Sequence, residues 1–374
     1  MPKNTVIIDT VTINEIIEEV HKAHPNVIFY GEGWTMTTNV TKEGYTMTTQ
    51  LNSTETPEFA FFSDTIRDAL KGSVFNDYEK GYVSGAATQA AKIQRCFQGN
   101  ADWCDSPSQS VNYASCHDNL SLFDKLATSN AADTLEDRIK MNNLAAAIYM
   151  TSQGIPFMQA GEEMLRSKPL ADGTFDHNSY SSPDSVNSIK WDNLNDDTYM
   201  AVYNYYKGLI AFRKAHPALR MMTAEDVKAN ITGIAGLDTN VVAFHIAGGA
   251  NGDDSHGIFV IFNPNREQTT VELPEGLWNI YINGKEAGTA SLGTASGSVA
   301  VAPISATVLV LDEQPQAPTE PGPTVVPTEA PTAEPTEPTA PTDEPKPGTD
   351  YTPAIVVAVV VILAGAAFLF LKKK

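Results

Sequence analysis

Residues 13–34 read Ile-Asn-Glu-Ile-Ile-Glu-Glu-Val-His-Lys-Ala-His-Pro-Asn-Val-Ile-Phe-Tyr-Gly-Glu-Gly-Trp. Ile13, Ile16, Ile17 and Val20 recur at the spacing of one helical face, and Pro25 ends the run. Val27 to Tyr30 is then a short apolar run that Gly31 stops, which reads as a buried strand. The pattern repeats along the chain. Phe59–Phe62 is a second strand, with a helical turn over 65–71. Val111–Ser115 is a third. A long helix follows over 134–153, with Asp133 as its cap candidate and Glu136 three residues on. Ile155–Gln159 is a fourth strand, and a last helix covers 197–214. Alternation of this kind implies parallel strands whose C-terminal ends carry function. Four such units make half of an eight-stranded barrel, which leaves two open edges.

Beyond residue 220 the helical period gives way to short strands over 241–246, 257–262, 269–273, 277–282 and 306–311, divided by turn signals such as Asn283-Gly284. That pattern predicts an all-β sandwich over 221–312. Residues 313–353 hold twelve of the 23 prolines, eleven of them between Pro315 and Pro347, and eight acids against Lys346, a composition that stays extended. Residues 354–371, Ala-Ile-Val-Val-Ala-Val-Val-Val-Ile-Leu-Ala-Gly-Ala-Ala-Phe-Leu-Phe-Leu, carry no polar side chain. Eighteen helical residues span about 27 Å, enough for a membrane helix. Lys372, Lys373 and Lys374 then stay cytoplasmic, so the globular part is expected at the extracellular face on a single-pass anchor. Residues 1–20 hold Asp9, Glu15, Glu18 and Glu19 and no apolar core, so they are not an export signal, and a preceding N-terminal part is expected.

The net charge of −20 argues against nucleic acid as a partner and suits a neutral ligand. Cys96, Cys104 and Cys116 are too few for a disulfide scaffold and lack paired metal spacing. An extracellular compartment would permit a Cys96–Cys104 bridge, with Cys116 then a free thiol.

Glu32 follows a strand directly and is flanked by glycines that would let a ligand approach, while Trp34 offers a flat face for a sugar ring. A carboxyl there could act as a general acid if burial or a neighbouring charge raises its pKa. One solvated glutamate in a turn explains the same letters. His117-Asp118-Asn119 ends the third strand at the same level, where its polar groups could grip sugar hydroxyls and Asp118 could stabilise a cationic anomeric carbon. A capping turn would also account for it. Together the two carboxylates are a better signal, because retaining glycosidases pair carboxyls about 5–5.5 Å apart.

The segments Y-G-E-G-W (30–34), F-F-S-D-T-I-R-D-A-L-K-G-S-V-F (61–75), V-N-Y-A-S-C-H-D-N-L-S-L-F-D-K-L (111–126), G-I-P-F-M-Q-A-G-E-E-M-L-R-S-K (154–168) and H-N-S-Y-S-S-P-D-S-V-N-S-I-K-W (177–191) resemble type I pullulanases of the α-amylase superfamily, glycoside hydrolase family 13. The resemblance spans residues 1–312 in order. It implies an α/β fold, the C-terminal half of a TIM-type (β/α)8 barrel (strands 5–8) over 1–220, followed by the sandwich. It implies retaining hydrolysis of α-1,6 branch linkages in pullulan, starch or glycogen. Glu32 becomes the general acid/base and Asp118 the substrate-orienting, charge-stabilising carboxylate. His117 binds sugar, Asn119 and Trp34 neighbour the subsite, and Asn178 and Tyr180 line the cleft or sit in a plain loop. Calcium is common in the superfamily, but no ligand cluster identifies a site. The family's nucleophile is an aspartate in a G-F-R-F-D-L-M-G strand, which the spacing puts near Lys3, where this chain reads Met1-Pro2-Lys3-Asn4-Thr5. The chain is therefore expected to be a truncated or split product with an N-terminal complementing fragment. The alternative is a non-catalytic cell-surface glucan-binding protein. Arg67-Asp68, the nearest R-D pair, is expected to be structural.

Overall fold

The computed structural model describes residues 8–35, 43–104 and 106–312. The linker expected over 313–353, the membrane helix expected over 354–371, the lysines at 372–374 and the segment around Lys3 lie outside them. Among the described residues no helix is long and apolar enough to cross a membrane.

The first unit is helix α1 (Thr10–Ala23) and strand β1 (Phe29–Gly31). Ile13 and Ile17 are buried against Phe29, so the helical apolar stripe covers the strand it precedes. Asp9 caps α1 by accepting from the Val11 and Thr12 amides. Strand β2 (Phe59–Phe62) leads into α2 (Asp64–Lys71), and α3 (Ala90–Phe97) follows. Strand β3 (Ser110–Asn112) precedes α4 (Leu122–Ser129) and α5 (Leu135–Thr151), and β4 (Ile155–Pro156) closes the set. The four strands form one parallel sheet in the order β1-β2-β3-β4. Its strands run two to four residues; β2 matches its apolar run, while β3 and β4 stop short of theirs at Asn112 and Pro156.

One expectation fails at α5. Its cap is Thr134, whose hydroxyl accepts from the Asp137 amide, and not Asp133. Asp133 instead pairs with Arg266 at 2.7 Å and accepts from Asn130. A distant arginine outcompetes the local amide for this carboxylate, and the hydroxyl one residue later takes the cap. Cys96 is a buried free thiol, so the Cys96–Cys104 bridge does not form, and Cys116 is only partly buried.

After the short α6 (Asp184–Asn187), helices α7 (Asp197–Ala215) and α8 (Ala224–Asn230) lead into strands β5 (Ile231–Gly233), β6 (Val242–Ala247), β7 (Gly257–Asn263), β8 (Thr269–Glu272), β9 (Trp278–Ile282), β10 (Thr294–Ala295), β11 (Ser298–Val301) and β12 (Ser305–Val310). They form a six-stranded antiparallel sheet, β10-β9-β12-β7-β6-β5, and a two-stranded sheet, β11-β8. Every residue of β7 is buried, and the two-residue period explains why. Ile258, Val260 and Phe262 join the core that holds α3, α5 and α7, while Phe259 and Ile261 join Val271, Trp278 and Val299 between the two sheets. The large sheet is therefore covered on both faces at β7, which is why 258–262 reads as an unbroken apolar run. Phe97 of α3 stacks on Phe244 of β6 with centroids 4.0 Å apart, joining the helical layer to the sandwich.

Candidate active site

The C-terminal end of the parallel sheet brings two strand-end segments together. Glu32 leaves β1, and His117 and Asp118 lie on the loop that leaves β3. Nε2 of His117 stands 3.7 Å from Oε1 of Glu32 and 3.8 Å from Oδ2 of Asp118. The ligand atoms of all three lie within 4.8 Å of one another. β1 and β3 are not neighbours, for β2 runs between them. The convergence is achieved by the loops over an aromatic floor, where Phe62 of β2 meets Tyr30, Tyr113 and Phe157 edge-on.

The side chains are exposed unequally. Glu32 retains 35% of its side-chain exposure, against 73% for His117 and 60% for Asp118. Burial raises the pKa of Glu32; the His117 imidazole opposes this and the Asp118 carboxylate adds to it. A carboxyl biased toward its protonated form beside a more exposed carboxylate is the division of labour an acid and a charge stabiliser need. Asn119 adopts a left-handed backbone with φ 62°, which asparagine tolerates better than most residues and which turns the loop back.

The glycines around Glu32 serve packing rather than ligand approach. A Cβ on Gly33 would stand 2.3 Å from Cδ1 of Phe61 and 2.9 Å from the Gln50 amide nitrogen, and one on Gly31 would stand 3.2 Å from the Phe59 ring. Trp34 is half-buried, with the Arg67 guanidinium 5.8 Å from its ring centroid. Asn178 precedes a short helical turn over Ser179–Ser181, and Tyr180 lies within it. Tyr180 is 68% exposed, and no hydrogen bond or ion pair among the described residues joins either one to Glu32, His117 or Asp118.

Sequence reasoning missed the supports beneath the site. Lys71 is fully buried and donates to the Leu120 carbonyl at 3.1 Å, one residue beyond the His-Asp-Asn segment. Burial pushes its pKa down to about 8; Cys116 opposes that, Arg67 adds to it, and Glu162 opposes it. Ser115 accepts from the Leu122 amide at 2.6 Å and so closes the loop on itself. Buried Glu162 accepts from Tyr149 at 2.7 Å and Tyr206 at 3.1 Å. Asp124 accepts from Ser167 and from the Lys168 amide, fixing α4 against the segment after β4. The signal for Lys71 was its place in the run Ile66, Ala69, Leu70, Lys71, where one turn of apolar residues includes a cation.

One imidazole and two carboxylates do not fit calcium, which takes six to eight oxygens. A cavity of about 210 Å³ lined by Tyr82, Met141, Asn240, Arg266 and Ile304 shares no residue with the site.

Residues 227–286 match the family described as the pullulanase all-beta domain. The pullulanase of Bacillus subtilis (strain 168) is 30% identical over 277 residues, 72% of this chain and 37% of that protein. The structure of a pullulanase from Bacillus acidopullulyticus superposes with a TM-score of 0.75 at 38% identity, covering 81% of this chain and 36% of that one. A pullulanase from Anoxybacillus sp. LM18-11, solved in complex with maltotetraose, gives a TM-score of 0.72 at 31% identity, covering 81% of this chain and 42% of that one. The chain thus spans well under half the length of the relatives it matches. A parallel half-barrel sheet ending in a Glu-His-Asp cluster, an all-β unit and these relatives place the chain in the type I pullulanase family.

Proposed function

We propose that Glu32, His117 and Asp118 form the acid and substrate-orienting part of a retaining glycosidase centre acting on α-1,6 linkages in pullulan, starch or glycogen. The observation that carries this reading is their meeting within 4.8 Å at the strand ends. Glu32 protonates the leaving glycosidic oxygen, as its raised pKa favours. Asp118 orients the sugar and stabilises positive charge at the anomeric carbon. His117 and Asn119 bind hydroxyls beside it, and Trp34 offers the ring face. Retention needs a further carboxylate as nucleophile. No aspartate stands near Lys3 in this sequence, so the reading requires one from residues outside it, as an N-terminal segment or complementing fragment. That missing aspartate also favours a second reading, a surface protein that holds branched glucan without turnover. In either case residues 354–371 anchor the chain and the globular part faces outward. Deleting 354–371 should release it from membranes without detergent, and retention would refute the anchor.

Reducing-end release from pullulan tests the catalytic reading. The chain alone should match its own Glu32→Gln variant. Joined to a segment that supplies the G-F-R-F-D aspartate, the wild type should hydrolyse pullulan, and Glu32→Gln should lose at least about a hundredfold. Turnover by the chain alone would refute the need for an outside nucleophile. Full turnover by the joined Glu32→Gln variant would refute the acid role.

A further inference from the structure

Arg67 lies on α2, directly after β2, and is 7% exposed. Its Nε donates to Asp68 at 2.6 Å and its Nη1 donates to the Tyr113 hydroxyl at 3.0 Å. The guanidinium carbon stands 5.8 Å from the Trp34 ring centroid and 5.9 Å from that of Tyr113. A single cation is thus held against two rings, one from the loop after β1 and one from the segment after β3. These are the segments that carry Glu32 and His117-Asp118. Burial alone would agree with the structural role expected of Arg67. Its geometry asks for more than a filled space. A planar guanidinium can donate in its plane to Asp68 and Tyr113 while its face meets a ring, which an ammonium cannot do. Lys71 extends the arrangement one turn later on the same helix, donating to the Leu120 carbonyl.

We propose that Arg67 is a positioning residue that sets the Trp34 ring as a sugar platform relative to Glu32, acting through the cation–ring contact and through Tyr113. The inference rests on the glucan-binding reading of the site, because it gives Trp34 a ligand. It adds that this ring is placed from α2, and not by its own loop alone. Substitution of Arg67 should therefore change binding through Trp34 and through no independent route.

A double-mutant cycle tests this, with maltotetraose as the probe and Arg67→Met, Trp34→Phe and the double variant of the chain compared by calorimetry. Arg67→Met and Trp34→Phe should each weaken binding about tenfold, and the double variant should be no weaker than Trp34→Phe alone. Additive losses, or unchanged affinity in Arg67→Met, would overturn the proposal. A ligand-free measurement separates this outcome from failure of the glucan reading. Trp34 emission, taken as the difference between wild type and Trp34→Phe, should shift to longer wavelength and become more open to acrylamide in Arg67→Met. Arg67→Lys, which keeps the charge and loses the planar fork, should restore it only in part. If maltotetraose does not bind the wild type, the glucan reading fails and the emission alone decides the role of Arg67. An unchanged Trp34 signal, or full recovery in Arg67→Lys, would leave Arg67 as a buried cation without a positioning role. Should Arg67→Met not fold, Arg67→Lys carries both arms, with a partial loss of affinity expected and none overturning the proposal.

Discussion

The half-barrel and the sandwich bury different chemistry. Among the described residues of the half-barrel region, Arg67, Lys71, Asp124, Lys125, Glu162, Lys168 and Arg213 are all buried. In residues 221–312 the buried charged side chain is Asp253, at the junction with α7. The sandwich can satisfy its backbone through long ladders and fill its interior with Val, Ile, Phe and Trp. Parallel strands of two to four residues leave much of the neighbouring backbone without a ladder. Buried lysines and arginines take over there. Lys71 holds the Leu120 carbonyl, Lys125 those of Ser73 and Asn76, and Arg213 those of Met150, Ser152 and Gly154. Buried charge in this chain marks where backbone carbonyls lack a ladder, and apolar continuity marks where the ladder supplies their partners.

The contrast can be broken most strongly at Lys71. Its folded pKa is depressed to about 8, so the unfolded chain binds more protons between that value and the ordinary lysine range. Stability should therefore rise with pH over that window. The rise in wild type relative to Lys71→Met should reach about 3 kcal/mol between pH 8 and 10.5, at 1.36 kcal/mol per unit. Urea unfolding of both proteins across the window checks it, and parallel pH curves would show that Lys71 is not a buried cation.

Asp253 sharpens the same contrast from the other side. Burial would raise its pKa, but the bonds to His216, Ser255 and the Ala218 amide outweigh that and hold it far below the carboxylate range. Its stabilisation is present above the unfolded pKa near 4 and is lost as pH falls below it. Asp253→Asn should cost about 2 kcal/mol at pH 7 and flatten the acid limb of stability against pH. A loss that does not diminish at pH 3 would contradict the linkage.

Tyr82 gives the smallest effect. Its hydroxyl faces the Asn240 and Phe262 carbonyls across the junction, at 2.8 and 3.1 Å. Tyr82→Phe should cost about 1 kcal/mol while leaving the site unchanged, read as a lowered urea midpoint with unaltered maltotetraose affinity. Altered affinity would mean that the junction and the strand ends are coupled.

The parts legible in the sequence are those that local pattern determines. Phe59–Phe62 reads as a strand because an apolar run between turn signals has few other uses. Gly257–Asn263 does so for the same reason. β5, β10 and β11 are rich in Thr, Gly, Ser and Ala and become strands only because a partner offers a ladder. Glu32 and His117-Asp118 could be found because polar residues directly after apolar strands sit at sheet ends. Their supports were harder to read: Lys71 sits in an apolar turn, but cations four apart on a helix also read as a solvated face. Only the packing of α2 shows that Arg67 and Lys71 point inward. Asn178 and Tyr180 came from resemblance, and among the described residues no hydrogen bond or ion pair joins either to the cluster.

Two strand-end carboxylates that act on one sugar must bind it cooperatively. Calorimetric titration of maltotetraose into wild type, Glu32→Ala, Asp118→Ala and the double variant measures this directly. Weakened binding in each single variant is predicted, with a coupling of at least about 0.5 kcal/mol between them. Equal affinity in all four proteins, or losses that simply add, would mean that Glu32 and Asp118 share a surface but not a substrate.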